Sequence, residues 1–224
     1  MSRGAVPFYF VDVFAVTPLT GNPVAVVPDA DGLSDAQMQA IAREFNQSET
    51  AFVLAPQRPG ATVRLRSFTP IGAEVFGAAH NALGCWLWLA LAGRLPAAGA
   101  ASPLAQQIGD DVLPVRVRRP PGGAVVVSMH QSPPQFGSIA ADDAAAYARF
   151  FNPAMGIAED PATGTAAGPL AALLVHRGQL DAGPAVIEQG RALGRPSRIQ
   201  VQVSGPSVTV SGSGLISAEG VLHL

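Results

Sequence analysis

The feature that most constrains this 224-residue chain is an internal repeat. Residues 66–70 match residues 149–153 as Arg-x-Phe-x-Pro at an offset of 83, and Glu74 then matches Glu159 at an offset of 85. Each copy continues through a Gly/Ala-rich turn into an apolar helix. Such a repeat predicts a duplicated lobe with a pseudo-twofold axis and a site in the cleft between the copies. The alternative is coincidence in an Ala/Gly-rich chain.

The composition removes several kinds of chemistry. All fourteen Lys or Arg positions are arginines, and the single cysteine is Cys85. Without lysine there is no Schiff-base enzyme, pyridoxal-phosphate anchor or P-loop. One cysteine excludes an intrachain disulfide, a Cys-based zinc cluster and a two-thiol catalytic pair. The net charge of −2 argues against non-specific nucleic-acid binding, which leaves carboxylate, imidazole, hydroxyl and backbone-dipole chemistry.

The hydrophobic pattern argues against a membrane protein. The longest apolar run, at residues 82–92, is shorter than the roughly 18 residues that a membrane helix needs. Pro7 and Asp12 interrupt the apolar N-terminus, so we do not expect a signal peptide. We expect a soluble, cytoplasmic protein with an N-terminal lobe at residues 1–108 and a C-terminal lobe at residues 109–224.

Periodicity and turn residues predict an α+β chain. Ser34 and Gln37 have capping-box spacing, which predicts a helix that ends near Asn46. Residues 97–109 are expected to cross between the lobes, and residues 212–214 (Gly-Ser-Gly) to form a turn. Further predicted helices lie at residues 83–95 and 165–177, and strands at 8–14, 24–27, 50–54, 63–68, 112–118, 124–129, 198–203, 207–211 and 215–222.

Two predicted helix starts carry small residues, at 78–81 (Ala-Ala-His-Asn) and 163–166 (Thr-Gly-Thr-Ala). Backbone N–H groups are unpaired there and the helix dipole is positive, so such ends bind carboxylate or phosphate without any lysine. If the pseudo-twofold holds, both ends point into one cleft, and a substrate anion would lie between them.

Three side chains are candidates for acid–base chemistry. Glu49 lies between a helix and an apolar strand, where a partly desolvated carboxyl would have a raised pKa and act as general acid/base. The alternative for Glu49 is a solvated turn carboxylate. His80 at a helix start suits a neutral proton relay, or else a capping or core role. Asp160 either joins this chemistry or caps the turn before Pro161, and Cys85 is expected to be a core thiol.

Six segments together have a familiar pattern: 11–14 (VDVF), 21–27 (GNPVAVV), 41–52 (IAREFNQSETAF), 66–70 (RSFTP), 159–166 (EDPATGTA) and 190–197 (GRALGRPS). In this order they resemble the PhzF-like family of phenazine-biosynthesis isomerases over nearly the whole chain. The resemblance implies a diaminopimelate-epimerase-like fold, in which two pseudo-symmetric lobes of mixed sheet each surround a central helix.

The resemblance also implies proton transfer without a cofactor or metal, on a small carboxylated substrate and in a homodimer. In residue terms, the family's general acid/base matches Glu49. His80 and Asp160 match the residues that assist it. The expected substrate-binding residues are Ser48, Asn81, Gly164 and Thr165.

The second lobe is short by comparison with the family, because few residues separate Gln135 from Arg149. A lobe without part of its sheet favours a second hypothesis, a non-catalytic ligand-binding or assembly protein that keeps the fold. The joint retention of Glu49, His80 and Asp160 favours the isomerase.

Overall fold

The computed structural model describes residues 4–77, 79–95, 103–131 and 147–224. These residues form a mixed α/β fold. The helices are α1 (Asp35–Phe45), α2 (Ala79–Leu91) and α3 (Gly164–His176). The strands are β1 (Ala5–Val13), β2 (Asn22–Val27), β3 (Thr50–Leu54), β4 (Val63–Phe68), β5 (Glu74–Val75), β6 (Ala105–Ile108), β7 (Asp111–Arg118), β8 (Val126–Gln131), β9 (Tyr147–Ala148), β10 (Phe150–Asn152), β11 (Ile157–Asp160), β12 (Gly183–Gln189), β13 (Ser197–Ser204) and β14 (Ser207–His223).

Eight of the strands close into a barrel. Its order is β1, β2, β3, β4, β6, β7, β8 and β14, and β14 pairs with β1 to complete the ring. Because β14 is 17 residues long, its first part pairs with β8 and β13 and its later part with β1. The sheet therefore continues past the barrel through β13, β12 and β9.

The expected turn at residues 212–214 is wrong, because these residues lie inside the continuous strand β14. A Cβ atom on Gly212 would lie 2.4 Å from Cδ1 of Phe14, and one on Gly214 would lie 2.3 Å from the carbonyl oxygen of Asp12. Glycine is present here because neighbouring groups approach the strand closely, and not because the chain turns.

The expected crossover at residues 97–109 is wrong in its second half, where β6 pairs in parallel with β4. Residues 96–102 lie outside the described part of the chain. Strand β6 reads Ala-Gln-Gln-Ile, and its buried Gln106 accepts a hydrogen bond from Nε1 of Trp86 at 2.8 Å. A strand whose buried residues are polar and hydrogen-bonded in this way lacks the apolar pattern by which strands are recognised in a sequence.

Helix α2 begins at Ala79, within the predicted helix start at residues 78–81 and ahead of the apolar stretch predicted at 83–95. It packs against β1, β2, β3, β8 and β14. All residues from 79 to 89 are buried, as expected for an apolar helix that other elements enclose. Within the described ranges, no helix combines the length and the apolar character needed to cross a membrane.

Helix α1 confirms the predicted capping box, in which Ser34 and Gln37 bond to each other's backbone N–H groups. Its apolar face, Met38, Ile41 and Ala42, packs in a separate cluster with aromatic residues of β3 and β4. The helix ends at Asn46, in the left-handed conformation that C-caps favour. This end places Ser48 and Glu49 directly before β3.

The two copies of the repeat form the same local structure. The Nε and Nη2 atoms of Arg66 donate to Glu74 at 2.7 Å each, and those of Arg149 donate to Glu159 at 2.8 Å each. Each arginine also stacks on the aromatic residue two positions later, at 5.1 Å and 5.0 Å from the ring centroids. The match in sequence is therefore accompanied by a match in side-chain contacts. The two-lobed arrangement and the boundary after residue 108 stay predictions.

Candidate active site

Glu49 is a buried carboxylate. It lies between the C-cap of α1 and the first residue of β3, and the residue is 8% exposed. The alternative of a solvated turn carboxylate is therefore wrong. Burial of an ionised carboxyl is costly unless the charge is paired or taken up by a proton.

His80 lies opposite Glu49, in the first turn of α2. The distance between Nε2 of His80 and Oε2 of Glu49 is 3.0 Å, and Oγ of Ser48 is 3.3 Å from the same nitrogen. The Nε2–Oε2 contact lacks hydrogen-bond geometry, so this carboxyl oxygen has no hydrogen-bond partner among the described residues. The three side chains form a compact group in which a proton has short distances to travel.

Burial raises the pKa of the Glu49 carboxyl above its ordinary value of 4.5. His80 and a hydrogen bond from Ser48 act in the opposite direction, and the negative charge of Asp160 raises this pKa further. A carboxyl of raised pKa binds a proton more strongly than an ordinary glutamate does, which suits a general acid/base.

Asp160 lies at the end of β11 and is 4% exposed. Nδ2 of Asn22 donates to its Oδ1 at 2.9 Å, and Oγ1 of Thr163 donates to its Oδ2 at 2.5 Å. Among the described residues these side-chain groups, rather than backbone N–H groups, bind its carboxylate, so a simple turn cap does not describe it. Asn22 also accepts from Oγ of Ser48 at 3.4 Å, which connects Asp160 with the Glu49–His80 group.

The first turns of α2 and α3 are in contact. A Cβ atom on Gly164 would lie 2.9 Å from Cβ of Ala79, so the missing side chain at Gly164 permits this close approach. Ala166 and Ala167 donate their backbone N–H groups to the carbonyl of Thr163. The earlier N–H groups of α3 are those that a helix start leaves for other acceptors.

The other predicted residues make no direct contact with Glu49, His80 or Ser48 among the hydrogen bonds described above. Asn81 is buried, but its Oδ1 accepts from the backbone N–H of Ala82 at 2.8 Å. Thr165 is exposed, and Thr163 provides the hydroxyl that reaches Asp160. Cys85 is fully buried in α2, where burial raises the pKa of its thiol, as expected for a core residue.

A cavity of about 620 Å³ adjoins the group, and its wall includes Asn22, Ser48 and Asp160. Phe151 and Ile157 give it apolar surface, while Leu193 and Arg195 contribute a further side. Its size suits a small organic molecule. In the described ranges, no cluster of three or more His, Cys, Asp or Glu residues is arranged to hold a metal ion.

Sequence reasoning did not identify Asn22, Thr163 and Gln189 as site residues. Asn22 is fully buried and bridges Ser48 and Asp160. Gln189 donates to the backbone carbonyl of Asp160 at 2.7 Å. Their partners are distant in sequence, and the only available signal was their position inside or beside the segments that carried the resemblance.

Comparison with known proteins finds relatives that match almost the whole chain. The family model described as phenazine biosynthesis-like protein matches residues 11–148 and 136–220. The trans-2,3-dihydro-3-hydroxyanthranilate isomerase of Pseudomonas fluorescens is 33% identical over 277 aligned positions, which cover 97% of this chain and 99% of that protein. A predicted epimerase from Pseudomonas aeruginosa has 29% identity and a TM-score of 0.81, with 99% of each chain covered. A PhzF-family protein from Bacillus anthracis, 21% identical, shares the fold with a TM-score of 0.85, over 99% of this chain and 100% of that one.

The fold and these relatives define an isomerase. The chain belongs to the phenazine biosynthesis-like, or PhzC/PhzF, family. The alignment with the Pseudomonas fluorescens enzyme extends over 277 positions, so that enzyme contains positions without a counterpart among the 224 residues of this chain.

Proposed function

We propose that this chain is a cofactor-independent isomerase that moves a proton within a small carboxylated substrate, with Glu49 as the general acid/base. The observation that carries the proposal is the buried Glu49 carboxyl, whose raised pKa coincides with a 3.0 Å contact to His80. The cavity beside Ser48 gives the substrate a place next to this group.

The reaction needs no net change in electrons. The Glu49 carboxylate takes a proton from one substrate carbon, and the electron pair of the broken C–H bond moves into the conjugated system of the substrate. The protonated Glu49 then returns the proton to another carbon. His80 and Asp160 assist by holding charge and hydrogen bonds around the moving proton.

The substrate carboxylate is assigned to the helix starts. The first turn of α3, at Gly164 and Thr165, and the first turn of α2, at His80 and Asn81, lie together at the contact between Ala79 and Gly164. Unpaired N–H groups and two positive dipole ends favour an anion there. Ser48 lies on the cavity wall and is a further hydrogen-bonding group for the substrate.

The test is proton exchange with solvent. Candidate small carboxylated compounds, cyclic ones included, are incubated with the protein in deuterated water, and deuterium uptake is followed by mass spectrometry. Glu49→Gln keeps the shape but cannot carry the proton, so we expect exchange to fall by about 10²–10⁴-fold. Glu44→Gln, the same change at an exposed glutamate, is the matched control and is expected to leave exchange unchanged. Unaltered exchange in Glu49→Gln would contradict the mechanism.

A non-catalytic ligand-binding or assembly role is the second candidate, and the shorter length relative to the Pseudomonas fluorescens enzyme favours it. It predicts that a ligand binds without any deuterium uptake in the wild-type protein. We further propose that the protein is a homodimer, that it is cytoplasmic, and that it consists of two pseudo-symmetric lobes, each around a central helix.

A further inference from the structure

Three of the segments that carried the resemblance, 11–14, 21–27 and 190–197, contribute no reacting group to the proposed mechanism. The structure brings them together around an ion pair between Asp12 and Arg195. We infer that Asp12 and Arg195 are positioning residues whose ion pair holds Asn22 and the 189–197 segment in place, and through them Asp160. This inference rests on the proposed function for the role of Asp160.

The ion pair is well formed, and its carboxylate is sheltered from solvent while Arg195 is half-buried. Asp12 is 1% exposed, and its Oδ1 accepts from Nη2 of Arg195 at 2.8 Å. Its Oδ2 accepts from the backbone N–H of Leu19 at 2.8 Å. Removal of one partner from such a pair leaves a buried charge without compensation, so the two residues act as a unit.

Arg195 also binds the loop that leads into β2. Its Nε donates to the carbonyl of Gly21 at 2.9 Å, and Nη2 donates to the carbonyl of Thr20 at 3.1 Å. In return, the N–H of Gly21 donates to the carbonyl of Pro196 at 3.1 Å. Because Asn22 follows directly, these bonds fix the backbone from which its side chain reaches Asp160 and the carbonyl of Ala162.

The other side of Asp160 is held by the 189–197 segment. Oγ of Ser197 lies 3.0 Å from the carbonyl oxygens of both Pro161 and Gln189. Gln189 in turn donates to the carbonyl of Asp160 at 2.7 Å. A Cβ atom on Gly190 would lie 2.3 Å from the carbonyl oxygen of Arg195 and 2.5 Å from that of Pro161, so this turn fits only glycine.

Asp160 is thus bound from both directions by segments that meet at one ion pair. The pair joins residues 183 positions apart, so no local turn can replace it. By contrast, the bidentate pair of Arg94 and Asp29 is exposed and contacts nothing in the site, which makes it a matched control.

The test measures how strongly Asp160 acts on Glu49, and it requires no substrate. Carbon-detected NMR follows the titration of the Glu49 carboxyl, whose signal is identified by its loss in Glu49→Gln. In the wild-type background, Asp160→Asn is expected to lower the pKa of Glu49, because the charge that raises it is removed. In the Asp12→Asn/Arg195→Met background, which removes both charges together, we expect this lowering to shrink by at least half.

A lowering of equal size in both backgrounds would overturn the inference. The Asp29→Asn/Arg94→Met background is expected to retain the full effect of Asp160→Asn. Circular dichroism and urea unfolding establish that each variant is folded. If the Asp12→Asn/Arg195→Met protein does not fold, Arg195→Lys is used with the same criterion, because lysine keeps the charge but cannot reproduce the fork of bonds from Arg195.

The NMR comparison and the deuterium-exchange test of the proposed function can fail independently of each other. If wild-type protein shows no deuterium exchange, the isomerase proposal fails, while the NMR comparison still decides whether the ion pair positions Asp160. If exchange is present, Asp12→Asn alone is used for the kinetics, because Arg195 lines the cavity and Asp12 does not. This variant is expected to lose kcat by at least tenfold with KM changed less than threefold. A change in KM alone would contradict a positioning role.

Discussion

Helices α2 and α3 have the same length and a similar apolar composition, yet their surroundings differ. Helix α2 packs against five strands and is buried on all sides from residue 79 to residue 89. Helix α3 packs against β12, β13, β14 and α2, and its buried positions form a single stripe. That stripe consists of Gly164, Ala167, Gly168, Ala171 and Ala172.

The difference shows that apolar content does not determine which face of a helix is inside. In α2 the largest side chains, among them Trp86 and Leu87, fill the core. In α3 the small residues face the sheet at helical spacing, and Leu170 and Leu173 are only half-buried. Small residues allow the backbone of α3 to approach the sheet and α2 closely, which is what brings Gly164 against Ala79.

The two helices should differ most in the free energy of unfolding that is lost when a leucine is truncated to alanine. Leu87→Ala in α2 is expected to cost about 2–5 kcal/mol, because a fully buried side chain leaves a cavity. Leu170→Ala in α3 is expected to cost less, about 1–2 kcal/mol, since this side chain is only partly buried against the core. Urea unfolding of both variants measures the difference. Equal losses would show that α3 is as enclosed as α2 in solution.

A smaller effect is expected at the glycines inside each helix. In Gly84→Ala the new methyl would lie 2.2 Å from Cγ1 of Val24, a stiff β-branched side chain, so we expect a loss of about 1–3 kcal/mol. In Gly168→Ala the methyl would meet the amide end of Gln131 and, at 3.0 Å, Cγ1 of Val208. The amide can turn aside only by giving up its hydrogen bond to the carbonyl of Gly164, but alanine favours the helix by roughly 1 kcal/mol, which offsets part of this loss. Thermal unfolding should therefore rank Gly84→Ala well below Gly168→Ala, and the reverse order would contradict this account of the packing.

Removal of the Glu49 carboxylate and removal of the Asp160 carboxylate should change the stability of the protein in opposite directions at pH 7. Ionisation of Glu49 opposes folding, because its pKa is raised in the folded protein. This penalty is absent below the ordinary pKa of about 4.5 and develops as the pH rises through the folded-state value, at about 1.4 kcal/mol for each pH unit between the two. Glu49→Gln should therefore be more stable than wild type at pH 7, with the difference closing towards pH 4.

Asp160→Asn is the matching change on the α3 side. It places an amide where Asn22 and Thr163 both donate, so we expect a loss of about 1–3 kcal/mol at pH 7. Urea unfolding at several pH values compares the two variants. If Glu49→Gln were destabilising at pH 7, the buried carboxyl would not carry the proposed penalty.

Local patterns predicted much of the fold. Strands β3 and β4 match their predicted bounds, because alternating apolar residues with clear ends specify them, and the capping box located α1. The continuous strand β14 and the short strand β6 were missed for physical reasons. In the sequence, the glycines of β14 resemble a turn, although they are present because other groups approach closely. The glutamines of β6 resemble a loop, because the sequence does not show that Gln106 is buried and bound to Trp86.

The site was predictable only in its local parts. Glu49, His80 and Asp160 were identified from their segments, and the structure places Glu49 beside His80. Asn22 could not be assigned, because its contact with Asp160 joins residues 138 positions apart and depends on how β1, β2 and β11 are arranged. Arg195 was not assigned for the same reason, since its partner Asp12 belongs to the first strand.

The central claim is that Glu49 holds a proton in a buried site at pH values where an exposed glutamate has lost it. The most direct measurement is an NMR titration of the Glu49 carboxyl beside that of Glu44, which is exposed on the same protein. The account predicts that the pKa of the Glu49 carboxyl lies clearly above its ordinary value of 4.5. A Glu49 midpoint at or below 4.5 would contradict it.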